Sequence, residues 1–497
     1  MKNQFLSLNQ QLFALPLLTL LLSPGQALAL FPSTNPCTPP VNPVDTSNPT
    51  TVVGNGTPAS CTEAAFDDAV DKGGAVTFNC GSSPYILTLT SEKTVTKSTV
   101  IDGKGLVTLS GGGKVRILSI KGGYTDVTPS LTVQNLNFGN GYTTDVPNTK
   151  AITQGGAAIY RAGGTLTVIN SNFYNNVAPL TGQDVAGGAI YSVGVGKTTI
   201  VGSIFKGNKA SNGGSIGNLG NSLTIYNSQV VTSAATGNGG NSNDGGNGGN
   251  GGGIYIDGAN NTVDICGVRV ASNQANAFGG GLTRVTYIGD RTIIDKSTFD
   301  SNVNSSGQGG GLYLQGTTLT LQNSTISNNK SVNAGGMVYF GGYGVGPMLF
   351  NNVTVSGNTA SNEVGGGIGI AYVSGTISNS TFANNKAAYN GGGLRNGSGL
   401  SLQNNIFSNN TPSNCDTTLT EQGGNIQYPN GTQCSNGITV ADPLLGTLYH
   451  NGGPTSTIAP ASNSPAANNG SYNCPATDQR GQNRPSTSCT SGAYQLP

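Results

Sequence analysis

The sequence predicts an all-β fold, namely a right-handed parallel β-helix in which three short strands make each coil and the coils stack as a solenoid, with a short N-terminal capping helix. One observation is a pair of sequence blocks that alternate with a period of about 28 residues, which is typical of solenoids. The other is composition, since 78 of the 497 residues are glycine and only 9% are charged. A chain with so little charge and many Val, Ile, Leu and Thr residues is expected to fold.

The first block contains two glycines followed by a small residue and an aliphatic residue. Its copies begin at Gly187, Gly213, Gly251, Gly279, Gly309, Gly335, Gly365 and Gly391. Successive strand residues point to opposite faces, so we expect the aliphatic residue of each copy to face the core and the next residue to face outward. The block therefore predicts one strand per coil.

The second block, for example LTLQNSTISNN from Leu319, indicates a strand, a tight bend and another strand. We expect the Asn at the bend to adopt left-handed backbone geometry and to bond the equivalent Asn one coil away, which would make an asparagine ladder. The bend positions are Asn135, Asn170, Asn227, Asn323, Asn352, Asn379 and Asn404. A second Asn closes the following strand at Asn176, Asn208, Asn273, Asn302, Asn329, Asn358, Asn385 and Asn410. The inward positions between them are Phe138, Phe173, Phe205, Val270, Phe299, Ile326, Val355, Phe382 and Phe407, which predict a continuous apolar stack.

The open ends of such a solenoid need covers, because each coil buries its apolar face only against its neighbours. Ser60 and Glu63 form a capping-box pair, and apolar residues follow at helical spacing, so we expect a helix at 61–71 over the N-terminal end. The predicted organisation is a signal peptide at 1–29, a linker at 30–55, the cap and first coils at 56–150, β-helix repeats at 151–412 and a disulfide-stapled C-terminal module at 413–497.

The N-terminal residues predict export. Lys2 precedes an apolar run from Leu12 to Leu22, and a small-residue cleavage pattern ends at Ala29. We therefore expect cleavage near Ala29 and a secreted, extracellular or cell-envelope protein. No later segment approaches the roughly 20 apolar residues of a spanning helix, which predicts no transmembrane segment in the mature chain. A net charge of +1 without a basic run argues against a nucleic-acid partner.

Eight cysteines in an exported chain predict disulfides. Local spacing favours three pairs: Cys61 with Cys80, Cys415 with Cys434, and Cys474 with Cys489. Cys37 and Cys266 remain. Because Cys266 falls within a repeat strand, we expect it to be a buried free thiol rather than the partner of Cys37.

The paired blocks resemble those of the pectin-lyase-like right-handed β-helices and, among them, the polymorphic outer-membrane-protein repeats of bacterial surface proteins. The C-terminal stretch is similar to the choice-of-anchor Q module that follows such helices in exported bacterial proteins. That similarity is carried by Asp442-Pro-Leu-Leu-Gly, Asn451-Gly-Gly-Pro-Thr, Asp478-Gln-Arg-Gly and Gly492-Ala-Tyr. The resemblance implies an extracellular or cell-envelope protein, mostly of unassigned activity, and a fold by itself implies no reaction.

Few residues are available for catalysis. His450 is the only histidine, so Ser-His-Asp sites and the usual zinc ligand sets are hard to assemble, and we predict no metal and no cofactor. The resemblance leaves one alternative, a polysaccharide lyase with a calcium-binding acidic cluster and an arginine base. Its candidates are Asp257, Arg284 and Asp290 on successive coils, although Arg284 aligns with the inward Ile256.

A row of tyrosines is the stronger signal on the first-block strands. If the aliphatic residues face inward, a stripe of ligand-binding candidates faces outward, at Tyr160, Tyr191, Tyr255, Tyr313 and Tyr339. Tyrosine offers an apolar ring face and a hydroxyl, so the stripe could bind a polysaccharide or cell-surface glycan, or could only stabilise exposed strands. We favour a non-enzymatic exported surface or extracellular protein with a possible adhesion or glycan-binding role. The alternatives are a polysaccharide lyase or other carbohydrate-active enzyme, and a scaffold for a protein partner.

Overall fold

A computed structural model describes residues 35–143, 152–239, 246–396, 399–471 and 473–497. These residues form a parallel β-solenoid of about 12 turns, which confirms the predicted all-β β-helix. Each coil passes through sheet C, sheet A and sheet B, and coils in the middle of the rod add a short sheet D. The predicted signal peptide, residues 1–29, lies outside the described residues.

The sheets are defined by their strands within the described ranges. Sheet A comprises Thr51–Val53, Gly74–Phe78, Thr99–Asp102, Ser130–Gln134, Thr165–Ile169, Lys197–Val201, Ser222–Tyr226, Val263–Cys266, Arg291–Asp295, Thr318–Gln322, Met348–Asn351, Gly375–Ser378, Leu400–Gln403 and Thr420–Glu421. Sheet B comprises Tyr85–Thr88, Val107–Ser110, Asn137–Gly139, Asn172–Tyr174, Ile204–Lys206, Gln229–Val231, Arg269–Ala271, Thr298–Asp300, Thr325–Ser327, Thr354–Ser356, Thr381–Ala383, Ile406–Ser408, Ile426–Tyr428 and Thr439–Val440. Sheet C comprises Lys93–Val95, Leu118–Lys121, Ile159–Ala162, Ile190–Val193, Ile216–Leu219, Ile254–Asp257, Leu282–Val285, Leu312–Gln315, Met337–Phe340, Ile368–Ala371 and Leu394–Asn396. Sheet D comprises Lys209–Ala210, Ala234–Ala235, Gln274–Ala275, Val303–Asn304, Lys330–Ser331 and Thr359–Ala360.

The core confirms the predicted apolar stack. All nine predicted inward positions of sheet B, from Phe138 to Phe407, are fully buried. They pair in register from coil to coil, with the equally buried Val230 between Phe205 and Val270. The Phe173 ring stacks between Phe138 and Phe205, with ring centroids 4.7 and 4.6 Å apart. Because neighbouring coils bury each other's apolar side chains, the coils depend on one another for stability.

We name the connections by the sheets they join: C–A turns, A–B bends and D–C loops. The seven asparagines predicted at the A–B bends all have positive φ, between 46° and 55°. Their side chains form only a partial ladder. Asn352 donates to Asn323 and Asn404 donates to Asn379, each at 3.3 Å, whereas the amides of Asn135 and Asn323 donate to aspartates.

The continuous asparagine ladder lies at the second position, after sheet B. Side-chain amides bond from coil to coil at 2.8–3.0 Å through Asn273, Asn302, Asn329, Asn358, Asn385 and Asn410. Each of these side chains is almost completely buried, and each also donates to a backbone carbonyl of the preceding coil. The continuous ladder therefore lies one bend further along the chain than predicted.

The N-terminal end of the core is covered by helix α1, Glu63–Lys72, which buries Phe66, Ala69 and Val70. The predicted capping box is wrong. Thr62 is the N-cap and accepts from the Ala65 N–H at 3.2 Å, while Glu63 forms an ion pair with Lys93 at 2.6 Å. The Glu63 side chain is thus used to fix the helix to the first coil.

All eight cysteines form disulfides. Three are the expected local pairs, Cys61–Cys80, Cys415–Cys434 and Cys474–Cys489. The fourth joins Cys37 to Cys266, so the expectation of a free thiol at Cys266 is wrong.

The Cys37–Cys266 pair forms because residues 35–50, here called the N-terminal strap, lie along the A–B bends. Asn227 accepts from the Cys37 N–H and donates to its carbonyl oxygen. Further along, Gln134 makes the same two bonds with Val44, at 2.8 and 2.9 Å. The strap therefore runs from the middle of the rod towards its N-terminal end.

The C-terminal residues fold back over the outer face of sheet B. Gln479 is buried there, where its side chain accepts from the Thr354 hydroxyl at 2.7 Å and donates to the Thr325 hydroxyl at 2.9 Å. Arg484 donates to the Asn352 side chain at 3.3 Å. An antiparallel pair, Leu445–Tyr449 with Thr457–Pro460, belongs to the same region.

Candidate functional site

The predicted tyrosine stripe is buried. Tyr160, Tyr191, Tyr255 and Tyr313 do lie at the outward positions of sheet C, but they are only 3%, 1%, 5% and 7% exposed. Connections that lead into sheet C cover them: Ala186 belongs to the same buried cluster as the first three, and Phe278 and Ala334, from D–C loops, pack with Tyr313. These four side chains face outward as predicted, but their rings are covered and do not form an exposed stripe on which a sugar could stack.

Tyr339 was assigned to the wrong face. Val338, not Tyr339, pairs with Tyr313, and Tyr339 pairs with the inward Leu314. Ala334 adopts a φ of 52° and takes the place of the first glycine of the block, which shifts the alignment by one residue. The Tyr339 ring is fully buried in the core, and its hydroxyl donates to the Thr317 carbonyl at 2.6 Å.

The lyase candidates come together only in part. Arg284 lies inward opposite Ile256, as its alignment indicated, and forms an ion pair with Asp290 at 3.4 Å. Asp257 accepts from the Tyr255 hydroxyl at 2.6 Å instead. Burial lowers the pKa of Arg284 to about 10, while the charges of Asp290 and Asp257 act in the opposite direction.

Arg284 has no exposed side-chain surface, and one of its terminal nitrogens donates to the Gly258 carbonyl at 3.0 Å. A base must reach the proton that it abstracts, within about 3 Å or through one water. Because this guanidinium lies inside the rod, a polymeric substrate cannot reach it. The Arg284–Asp290 pair is therefore a buried structural contact.

Exposed tyrosines lie one connection further along the chain, at the C–A turns. Tyr287, Tyr343 and Tyr372 are 66%, 97% and 78% exposed, and Ile288 beside them is 50% exposed. We call these three the edge tyrosines. They occur on three of four successive coils, the remaining coil having a short turn at Gly316.

The turns that hold the edge tyrosines are in contact. A Cβ built on Gly289 would lie 2.1 Å from the Gly344 carbonyl oxygen, and one on Gly341 would lie 2.0 Å from the Tyr372 carbonyl oxygen. Such separations are possible only without a side chain, so glycine permits the close approach. The three rings therefore lie along one edge of the rod, where coils are about 4.8 Å apart, with one coil between Tyr287 and Tyr343.

Tyr372 has an unfavourable backbone conformation. Its φ is 59°, where a bulky residue is an outlier and pays about 1–2 kcal/mol. Other coils have glycine at the residue that follows the sheet C strand, including Gly163, Gly194, Gly258 and Gly316, all with positive φ. An exposed aromatic ring that keeps a strained conformation is a candidate for function.

The edge carries little charge. Apart from the tyrosines, Asp290 is the one ionisable residue of the four turns 286–290, 316–317, 341–347 and 372–374, and Arg284 neutralises it. Burial and the charge of Asp257 raise the pKa of Tyr287, so its hydroxyl stays protonated at neutral pH. The edge therefore offers neutral rings and hydroxyl groups. The sequence carries one signal for this edge, since Tyr372 replaces a recurrent turn glycine.

The described residues thus form a disulfide-bonded parallel β-solenoid that exposes the edge tyrosines along one side. No protein-family model matches the chain, and no curated protein matches it. The likeness to pectin-lyase-like proteins, to their repeats and to the anchor module thus stays a prediction. In the part of the chain that the structure describes, no helix has the length and apolarity needed to cross a membrane.

Proposed function

We propose that this protein is an exported, non-enzymatic β-helix that binds an extended glycan along the edge tyrosines. The observation that carries the proposal is the set of three exposed rings on three of four successive coils, one of which, Tyr372, keeps a strained backbone conformation in place of glycine. Sugar rings present C–H faces and hydroxyl groups, which match the apolar face and the hydroxyl of tyrosine. A repeating ligand suits an edge that repeats with the coils.

Export is supported by the four disulfides, because disulfides persist mainly in oxidising compartments. The predicted signal peptide would supply the route. A non-enzymatic role is supported by the edge itself, since glycoside hydrolysis usually requires two carboxylates on either side of the scissile bond. Asp290 is paired with Arg284, and Asp257 accepts from the Tyr255 hydroxyl, so neither carboxylate is free for that role.

The test compares the parent with the triple variant Tyr287→Ser, Tyr343→Ser, Tyr372→Gly on an array of neutral and acidic polysaccharides. At about 0.5–1.5 kcal/mol for each ring contact, the loss of three should weaken binding by one to three orders of magnitude. Tyr449→Ser is the matched control, because Tyr449 is 68% exposed but lies in the C-terminal antiparallel pair. The proposal fails if the triple variant binds as the parent does.

Tyr372→Gly alone separates function from folding. Glycine relieves the strain of a positive φ, so the variant should be at least as stable as the parent in urea while binding the glycan more weakly. A loss of both stability and binding would indicate that Tyr372 is a structural residue. Release of reducing ends or unsaturated products by the parent would overturn the non-enzymatic assignment.

A further inference from the structure

A groove of about 400 Å³ crosses the D–C loops, on the opposite side of sheet C from the edge tyrosines. Its lining comes from five successive coils and includes Asn276, Phe278, Gln308, Asn333 and Glu363. Pockets for small ligands typically have volumes of about 300–1,000 Å³. The groove is therefore large enough to hold a ligand, and its long direction follows the stacking of the coils.

The groove is rigid. Phe278, Gln308 and Asn333 are successive rungs of a parallel backbone ladder that begins at Asn250. The Gly279 N–H donates to the Gln308 carbonyl and the Gly309 N–H donates to the Asn333 carbonyl, both at 3.0 Å. Side chains fixed on such a ladder need little ordering when a ligand binds.

The Phe278 ring is held in place from behind. Its centroid lies 4.6 Å from that of the buried Tyr313, and Tyr313 in turn contacts Phe340 at 6.0 Å. Phe278 itself is only partly buried and lines the groove. A ring supported on one side and open on the other is suited to stacking on a sugar ring.

The side chain of Gln308 lacks a partner for its acceptor. Its Oε1 atom is buried and receives no hydrogen bond from the described residues. A buried acceptor left unpaired is costly and calls for an explanation. Gln308 lines the groove and is itself only half-buried, so its amide can turn towards the groove, where a ligand hydroxyl would supply the missing donor. This makes Gln308 the most informative residue of the site.

The charges of the groove restrict the ligand. Among the described residues that line the groove, Glu363 is the one ionisable residue, and none is a lysine or an arginine. Carboxylates and phosphates are usually bound by cationic side chains, so an acidic glycan would meet only repulsion here. Amides and hydroxyl groups beside an aromatic ring instead match the hydroxyl groups of an uncharged sugar.

From these features we infer that the D–C groove is a second glycan site, separate from the edge tyrosines, and that it takes a neutral sugar chain. Phe278 stacks on the sugar ring, and Gln308 accepts a hydrogen bond from one of its hydroxyl groups. Glu363 disfavours uronic acids. The inference shares its ligand class with the proposed function but does not depend on the edge tyrosines.

The first experiment measures binding of the neutral and acidic polysaccharides of the same array to Gln308→Met. Methionine keeps the length of the side chain and removes the unpaired acceptor, so the variant should melt at the same or a higher temperature and bind neutral glycans about tenfold more weakly. Gln274→Met is the matched control, because Gln274 is exposed on the neighbouring sheet D and does not line the groove. Unchanged neutral-glycan binding by Gln308→Met would overturn the inference.

The second experiment tests selectivity. Glu363→Gln should strengthen binding of polygalacturonate about two- to fivefold at low salt, should leave neutral glycans unaffected, and should lose its effect at high salt, because exposed charges are screened. An equal change for neutral and acidic chains would contradict the assigned role of Glu363.

The two proposals fail separately. If binding depends on the edge tyrosines and not on Gln308, the proposed function stands and the groove inference is wrong. If it depends on Gln308 and not on the edge tyrosines, the groove inference stands and the edge assignment is wrong. Loss in both variants supports both sites, and a parent that binds no polysaccharide on the array refutes both.

Discussion

Replacing Asn329 with alanine should destabilise the rod more than replacing Asn323, although both asparagines lie in the same coil. The Asn329 side chain is fully buried and makes four hydrogen bonds. It donates to the Asn358 side chain and to the Phe299 carbonyl, both at 2.9 Å, and it accepts from the Asn302 N–H at 2.9 Å and from the Asn302 amide at 3.0 Å. All of these partners are inside the protein, where water cannot replace the lost bonds.

The magnitude follows from those partners. Alanine at 329 leaves the buried Asn302 N–H and the Phe299 carbonyl each without one hydrogen-bond partner. Each unpaired buried group lowers the free energy of unfolding by about 1–3 kcal/mol, so we expect a total loss of about 2–6 kcal/mol. Asn323 is half-buried and bonds Asp295 at 2.8 Å and Asn352 at 3.3 Å. Solvent can replace part of those bonds, and alanine at a φ of 49° adds about 1 kcal/mol, which gives about 1–2.5 kcal/mol.

Equilibrium unfolding in urea, followed by far-ultraviolet circular dichroism, measures both variants against the parent. Solenoids can lose cooperativity, so the comparison requires that the slope of the transition be unchanged. An equal or larger loss for Asn323→Ala would refute the assignment of the continuous ladder to the second asparagine. Equal and small losses in both variants would mean that neither set of asparagines stabilises the rod through its side-chain hydrogen bonds.

Three further results are expected. Phe299→Ala should cost about 3–5 kcal/mol in the same urea assay, because the ring fills a fully buried position between coils, and a loss under 1 kcal/mol would contradict the continuous stack. Burial opposes ionisation of Glu63, but hydrogen bonds from Lys93 and Thr90 lower the pKa of its carboxyl group to about 2. The carboxylate therefore adds stability above about pH 4.5, and this contribution is lost as the pH falls towards 2. The stability of Glu63→Gln, measured across the same acid range, should not show that loss. The double variant Cys37→Ser, Cys266→Ser should unfold with about 2–5 kcal/mol less stability, since the bond closes a long loop, and thermal melts that match the parent would show that the strap is held by its hydrogen bonds alone.

The fold was predictable because every coil repeats the same signals. A strand, a bend asparagine and an inward Phe recur many times, so an error in one coil is corrected by the others. Local breaks in the repeat caused errors. Ala334 in place of a glycine shifted Tyr339 to the wrong face, and Thr62 rather than Ser60 provides the helix cap.

The candidate site was harder to predict because alternation determines the face of a strand and not what covers that face. Tyr313 does point outward, yet Phe278 from a D–C loop lies over it. The D–C loops differ in length and composition between coils, so their path could not be inferred from the repeat. The disulfide between Cys37 and Cys266 was not predicted because it also depends on a segment outside the repeat. The two residues are 229 positions apart in the sequence, and the N-terminal strap brings them together.

The strap also decides how the rod would carry a mechanical load. The bond between Cys37 and Cys266 encloses helix α1 and all the coils before Cys266 in one covalent ring. Tension applied to the chain ahead of Cys37 therefore enters the rod at sheet A of the coil that contains Cys266, and the coils inside the ring bear none of it while the bond is intact. Reduction of this single bond would move the load to the strap's hydrogen bonds, first those between Cys37 and Asn227 and then those at Val44 and Thr46, which would break one after another under force.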